Sequence, residues 1–230
     1  MHRTLTRLSP ADRRGRRMHL ELDGEPWAEI DSEIVLRRGL CQGLALAPSE
    51  IEEILADDEY IRARRAAAIL IHTRPRSVAE LGRLLAERRF SRPAIERIVL
   101  HLKEIGDLDD RRFAEAFARH QFKIRTIGPE KIRHRLRQLG VEEKIIDATL
   151  AEEPAACQDS QAALARRFVE RRMKRFRNEP IPTRKRKIFQ ALRRAGFEPD
   201  VCATCVDEIL KNTDGQESEG ENEENRTDLT

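Results

Sequence analysis

The chain has 230 residues, of which 37% are charged and 4% aromatic. Globular domains usually carry about 25% charged residues, so this composition argues against one thick core and for thin helical layers covered by long charged side chains. No apolar run approaches the roughly 18 residues of a membrane span, and the Arg-rich start lacks the apolar stretch of a secretion signal, so the chain reads as soluble and cytoplasmic, without a membrane partner.

The net charge of +3 conceals segregation along the chain. Residues 1–19 hold six arginines against Asp12, a net of +5, and residues 211–230 hold seven acids against Lys211 and Arg226, a net of −5. Both ends read as solvated and disordered, with a basic arm over 1–18 and an acidic tail over 212–230. The acid-poor start also has the composition of an organelle transit peptide, the lesser reading.

After the arm, residues 19–30 (HLELDGEPWAEI) alternate apolar and polar side chains on either side of Asp23-Gly24. That dipeptide supplies the positive-φ positions of a tight turn, which predicts a two-stranded ribbon with Trp27 as its packing anchor. Helical periodicity then takes over from about residue 31, giving a β-hairpin plus helical lead-in over 19–60. Ser49 with Glu52 and Ser77 with Glu80 fit capping boxes. Pro93, Pro129 and Pro199 fit the first turn of a helix, where a missing amide costs nothing.

An internal repeat follows. Leu85 and Phe90, Leu136 and Val141, and Leu192 and Phe197 are apolar pairs five apart across a basic turn, and Ile95, Ile146 and Cys202 continue the register. The spacing leaves room for about three short helices per unit. The expected fold is therefore mainly α, an elongated, curved array of three tandem three-helix units over 61–108, 109–153 and 154–211, with neighbours bracing one another.

Residues 105–117 (IGDLDDRRFAEAF) test that reading. The aspartates resemble an acidic site, but a calcium loop from Asp107 needs Gly at its sixth position and Glu at its twelfth, and this sequence has Arg112 and Ala118. The residues fit a joint instead: Gly106 closes one unit, Leu108 tucks into the joint, and Asp109 or Asp110 caps the next helix.

This joint, together with residues 74–81 (RPRSVAEL), 127–136 (IGPEKIRHRL), 139–141 (LGV) and 193–197 (RRAGF), resembles in order and spacing the RecX family of recombination regulators. The resemblance implies a non-catalytic protein that binds the RecA recombinase filament on single-stranded DNA and restrains its strand exchange, ATP hydrolysis and co-protease activity. It also implies an array of three-helix units, in agreement with the spacing. The motif residues are caps and core, so they do not locate the contacts.

Contacts are argued from charge. Residues 166–194 hold thirteen Lys and Arg against Glu170 and Glu179, a net of +11. The expected filament- or DNA-contacting face is Arg171, Arg172, Lys174, Arg175, Arg184, Lys185, Arg186, Lys187, Arg193 and Arg194. A secondary patch takes in Arg62, Arg65, Arg74, Arg76, Lys131 and Arg135. In the run Lys131, Arg133, Arg135 and Arg137, alternate residues cannot all share a helical face.

Cys202 and Cys205 have a zinc-like spacing but no second pair and read as small core residues. No nucleophile–base pair, phosphate loop or paired carboxylates is evident, so neither catalysis nor a cofactor is expected. A stand-alone helical-repeat nucleic-acid binder explains the basic segment equally well, and an adaptor for another acidic protein is a third reading.

Overall fold

A computed structural model describes residues 2–156, 160–173, 176 and 179–209, with only the backbone described for 153–156. Residues 1–109 and 110–230 form two compact units.

The first unit opens with a four-stranded antiparallel sheet of order β3-β2-β1-β4, from β1 (Arg3–Pro10), β2 (Arg17–Leu22), β3 (Glu25–Asp31) and β4 (Ala45–Leu46). The hairpin forms where expected: Asp23 (φ 54°) and Gly24 (φ 86°) turn β2 into β3, with Leu22 opposite Glu25. Trp27 is half-buried against this unit's core.

Residues 3–10, expected to be part of a disordered arm, are instead a central strand, and the ribbon is a sheet. Leu5 is fully buried and pairs opposite Leu22. Arg3 donates to Asp23 Oδ2 at 2.9 Å, and the Thr4 amide donates to Asp23 Oδ1 at 2.8 Å. The arm's arginines are thus partly spent on acids of the hairpin, and the Thr-Leu-Thr-Arg-Leu alternation satisfies a strand.

Helices α1 (Ser32–Arg37), α2 (Pro48–Thr73), α3 (Val78–Glu87) and α4 (Arg92–Glu104) complete the unit. Because α2 is continuous, the expected boundary at residue 61 falls inside one helix. Its Ile54 and Ile61 close the core beneath the sheet, and its Ala63, Ala67 and Leu70 pack with Leu81, Leu85, Ile98 and Leu102 of α3 and α4. The cap of α2 is not Ser49 with Glu52: Ala47 is the N-cap, and its amide donates to Glu50 Oε2 at 2.7 Å. Ser77 caps α3 as expected, its Oγ accepting from the Glu80 amide at 3.1 Å. Leu108 is buried in the α2–α4 core, and Gly106 (φ 78°) follows the end of α4.

The second unit contains α5 (Asp110–His120), a π-helical turn (Gln121–Arg125), α6 (Pro129–Gln138), α7 (Glu143–Ala156), α8 (Gln161–Glu170), α9 (Ile181–Ala195) and α10 (199–209). These make two three-helix layers around one continuous core. Phe113, Phe122, Ile132, Leu136 and Ile146 of the first layer meet Leu164, Phe168, Leu192, Phe197 and Cys202 of the second.

The repeat register has a backbone cause. The amides of Phe90, Val141 and Phe197 donate to the carbonyls of Leu85, Leu136 and Leu192 at 3.3, 3.1 and 3.2 Å. Each bond closes a helix end over a left-handed residue, at Arg89 (φ 64°), Gly140 (φ 76°) and Gly196 (φ 89°). This is the 6→1 closure that pairs an apolar residue inside the helix with one just beyond it.

Candidate anion-binding interface

The largest clusters of positive charge differ in what faces them. In the first unit, Arg62 donates to Asp58 Oδ2 at 2.9 Å, and Arg65 is hydrogen-bonded to Asp31. Arg74 and Arg76 both grip Glu80. Asp31, Asp58 and Glu80 are buried, so these four arginines of the expected secondary patch face buried carboxylates and link α2 and α3 to their surroundings.

The second unit is different. Arg125, Lys131, Arg135, Arg171, Arg172 and Arg194 line a cleft of about 920 Å³ whose apolar wall includes Ile124, Ile127, Phe168 and Phe176. Among the described residues, no acid lines it and none of the six cations has a carboxylate partner.

Local structure explains how these side chains converge. The alternating run on α6 divides as helical geometry requires: Lys131 and Arg135, four apart, face the cleft. Arg137 and Arg133 turn the other way to Glu143, at 2.7 and 2.5 Å, and their hydrogen bonds pull its carboxyl down to about 2. The π-helical turn adds Arg125 and exposes Ile124 at the rim. It ends at Thr126 in the left-handed region, φ 51° and ψ 52°, a strained conformation for a β-branched residue. Arg171 braces this turn, donating to Ile124 O and Thr126 Oγ1 at 3.1 Å each.

On the opposite wall, Arg172 lies over the Phe168 ring, 4.0 Å from its centroid. Lys131 donates to the Arg194 carbonyl at 3.2 Å, tying α6 to α9. The low-dielectric aromatic wall strengthens the attraction of these charges for an anion. The arrangement suits a phosphate backbone, a carboxylate-rich segment or an acidic protein surface.

The structure therefore brings Arg171, Arg172 and Arg194 together with Lys131 and Arg135, which sequence reasoning had placed in a separate patch. Arg125 was missed, because its position depends on the π turn. The run 184–187 is dispersed: Lys185 pairs with Asp207 at 3.5 Å and Lys187 with Glu179, Arg184 is half-buried, and Arg186 is exposed. Arg193 donates to the Phe197 carbonyl at 2.6 Å. Lys174 and Arg175 lie outside the described residues, as does the acidic tail. Cys202 and Cys205 are buried in the core; burial pushes both thiols up, that of Cys205 to about 11.

Fold and cleft together define a helical-repeat protein with a cationic groove. Residues 109–150 match the family description "RecX, second three-helix domain" and residues 159–206 match "RecX, third three-helix domain". Regulatory protein RecX of Geobacillus kaustophilus is 29% identical over 86% of this chain and 73% of its own length. The protein of that name from Limosilactobacillus reuteri strain DSM 20016 is 26% identical over 89% and 76%.

Among solved structures, "Crystal structure of regulatory protein RecX" superposes with a TM-score of 0.68 at 25% identity, over 89% of this chain and 99% of that one. RecX from Lactobacillus salivarius shares the fold with a TM-score of 0.59 at 21% identity, over 66% and 97%. The second unit thus carries two RecX three-helix domains, and over most of its length the chain is similar to proteins named regulatory protein RecX.

Proposed function

We propose that this protein binds the RecA recombinase filament on single-stranded DNA and restrains its recombinase, ATPase and co-protease activities, without catalysis of its own. The cleft of the second unit is the contact in this reading, meeting DNA phosphates or acids of the recombinase. The observation that carries it is the convergence of six cations, none facing a carboxylate among the described residues, on one cleft. Paired arginines elsewhere have already spent much of their attraction, whereas these have not.

The test is single-stranded-DNA-dependent ATP hydrolysis by the cognate recombinase, titrated with this protein, alongside its own DNA binding in the same buffer. Inhibition well below one copy per recombinase protomer, at concentrations that leave bare DNA unbound, is the expected result. The half-buried Phe176 on the cleft wall also offers a ring for base stacking, which favours the stand-alone nucleic-acid binder as second reading. Hydrolysis that falls only once this protein has coated the DNA would establish that binder instead.

A further inference from the structure

Residues 212–230 carry seven acids against Arg226 alone, a net of −6. We propose that this segment occupies the cationic cleft of the second unit when no other anion does, and so acts as a tethered competitor for it. The inference rests on the reading of the cleft as the contact for DNA or filament.

Reach, charge and tethering support it. Nineteen residues span at most about 60 Å when extended, whereas a unit of this size has a radius of gyration of about 14 Å, so the segment reaches any point of the unit from residue 211. The last described residue of α10, Ile209, packs in the core shared with Phe168 and Leu192. Among the described residues, Arg125 and Arg135 have no charged partner, and Arg171, Arg172, Lys131 and Arg194 hydrogen-bond to carbonyl or hydroxyl oxygens, so each keeps its charge available.

A tethered ligand competes at an effective concentration in the millimolar range, enough to matter even where the free segment would bind weakly. Opposite charges at short range in a groove are screened by salt. The device therefore sets a threshold: only a ligand of higher charge density or larger contact, such as a DNA strand held in a filament, displaces the tail.

The test compares the full chain with a chain ending at Lys211, both checked for equal helicity and melting temperature, by fluorescence anisotropy with an oligo-dT probe. At low salt, truncation is expected to tighten DNA binding roughly five- to tenfold, with the gain disappearing at high salt. A synthetic peptide of residues 212–230 should weaken DNA binding by the truncated chain when added in trans. In the background Arg125→Ser with Arg135→Ser, truncation should produce little change.

Unchanged affinity on truncation at low salt overturns the proposal. An equal gain in the double variant also overturns it, because the tail would then act through net charge and not through the cleft. The peptide is titrated separately into isotope-labelled truncated protein. If it shifts signals of the cleft while DNA does not bind, the self-contact stands and the reading of the cleft as a DNA contact fails. If DNA binds and the peptide leaves the cleft unchanged, the reverse holds.

Discussion

Gly128 and Gly196 meet backbone to backbone where α6 begins and α9 ends. The Gly128 amide donates to Ala195 O at 2.9 Å, and the Glu130 amide donates to Gly196 O at 3.1 Å. A Cβ built on Gly128 would collide with the Gly196 carbonyl and lie 2.5 Å from the Phe197 nitrogen; one on Gly196 would lie 2.5 Å from both N and Cβ of Lys131. This contact joins the two layers of the second unit and fixes Lys131 beside Arg194 across the cleft.

Gly128→Ala and Gly196→Ala are therefore expected to destabilise the second unit by about 3 kcal/mol or more each, since the methyl meets backbone that cannot move aside. Gly82→Ala is the contrast. Its Cβ would sit 3.8 Å from Ile95 Cγ2, an ordinary contact inside α3, so about 0.5–1 kcal/mol of stabilisation is expected. Urea unfolding midpoints check all three, and a Gly128→Ala protein as stable as the parent would remove the close approach.

Arg89 gives a prediction of the opposite sign. It holds the left-handed position (φ 64°) that Gly140 and Gly196 hold in the next two repeats. A side chain there costs about 1–2 kcal/mol relative to ordinary backbone. Arg89→Gly should raise stability by about 0.5–1 kcal/mol, and Gly140→Ala should lower it by a similar amount. Calorimetric melting of each variant measures this.

These helix ends show what the sequence made legible. The five-residue apolar spacing was visible because one backbone motif repeats it three times, and Leu85, Leu136 and Leu192 are all fully buried. The hairpin was visible because Asp23-Gly24 has few other uses. Strand β1 was hidden by its arginines, whose acid partners Asp23 and Glu21 come from the neighbouring hairpin. The cleft was hidden for a related reason. Positive charge along a chain shows how many cations there are, and only the fold shows which of them meet carboxylates, so Lys185 and Lys187 looked equivalent to Arg194. Arg125 depended on a π turn that no residue pattern announces.

Acid sensitivity should have a part-buried source in the first unit, beside the exposed Glu143 of the second. Burial pushes the Asp31 carboxyl up, but hydrogen bonds from Arg65 and the Glu33 amide, with the charges of Arg65 and Arg17, outweigh it and hold it below the usual carboxylate range. Asp57 shows the same balance, with burial opposed by Arg38 and Arg97. A depressed folded value means these contributions are fully present above the unfolded value of 3.8 and are lost as pH falls through the folded one.

Unfolding midpoints taken between pH 7 and pH 2.5 or so should drop most steeply below about pH 4. Asp31→Asn keeps an oxygen for the Glu33 amide, so the helix cap survives, while the ion pair with Arg65 is removed. Its expected cost at neutral pH is about 1.5 kcal/mol, the lower end for a hydrogen bond to a charged group because Arg65 is half exposed. The variant should also flatten the acid limb; an unchanged limb would assign it to other groups.

The cleft predicts a separation between binding and stability. Arg125→Ser and Arg135→Ser remove charges that face no carboxylate among the described residues, so the melting temperature should change little. If both reach phosphates, the double variant should reduce the log–log salt slope of single-stranded DNA binding by about 1.4 and weaken inhibition of recombinase ATP hydrolysis in parallel. Arg62→Ala removes a partner of buried Asp58 and should do the opposite, lowering stability by about 1–2 kcal/mol while leaving inhibition intact. Neutralising Lys185 and Lys187, which have Asp207 and Glu179 beside them, should affect the slope less than the Arg125 and Arg135 pair. A larger loss from the lysines would shift the contact surface away from the cleft and onto the outer face of α9.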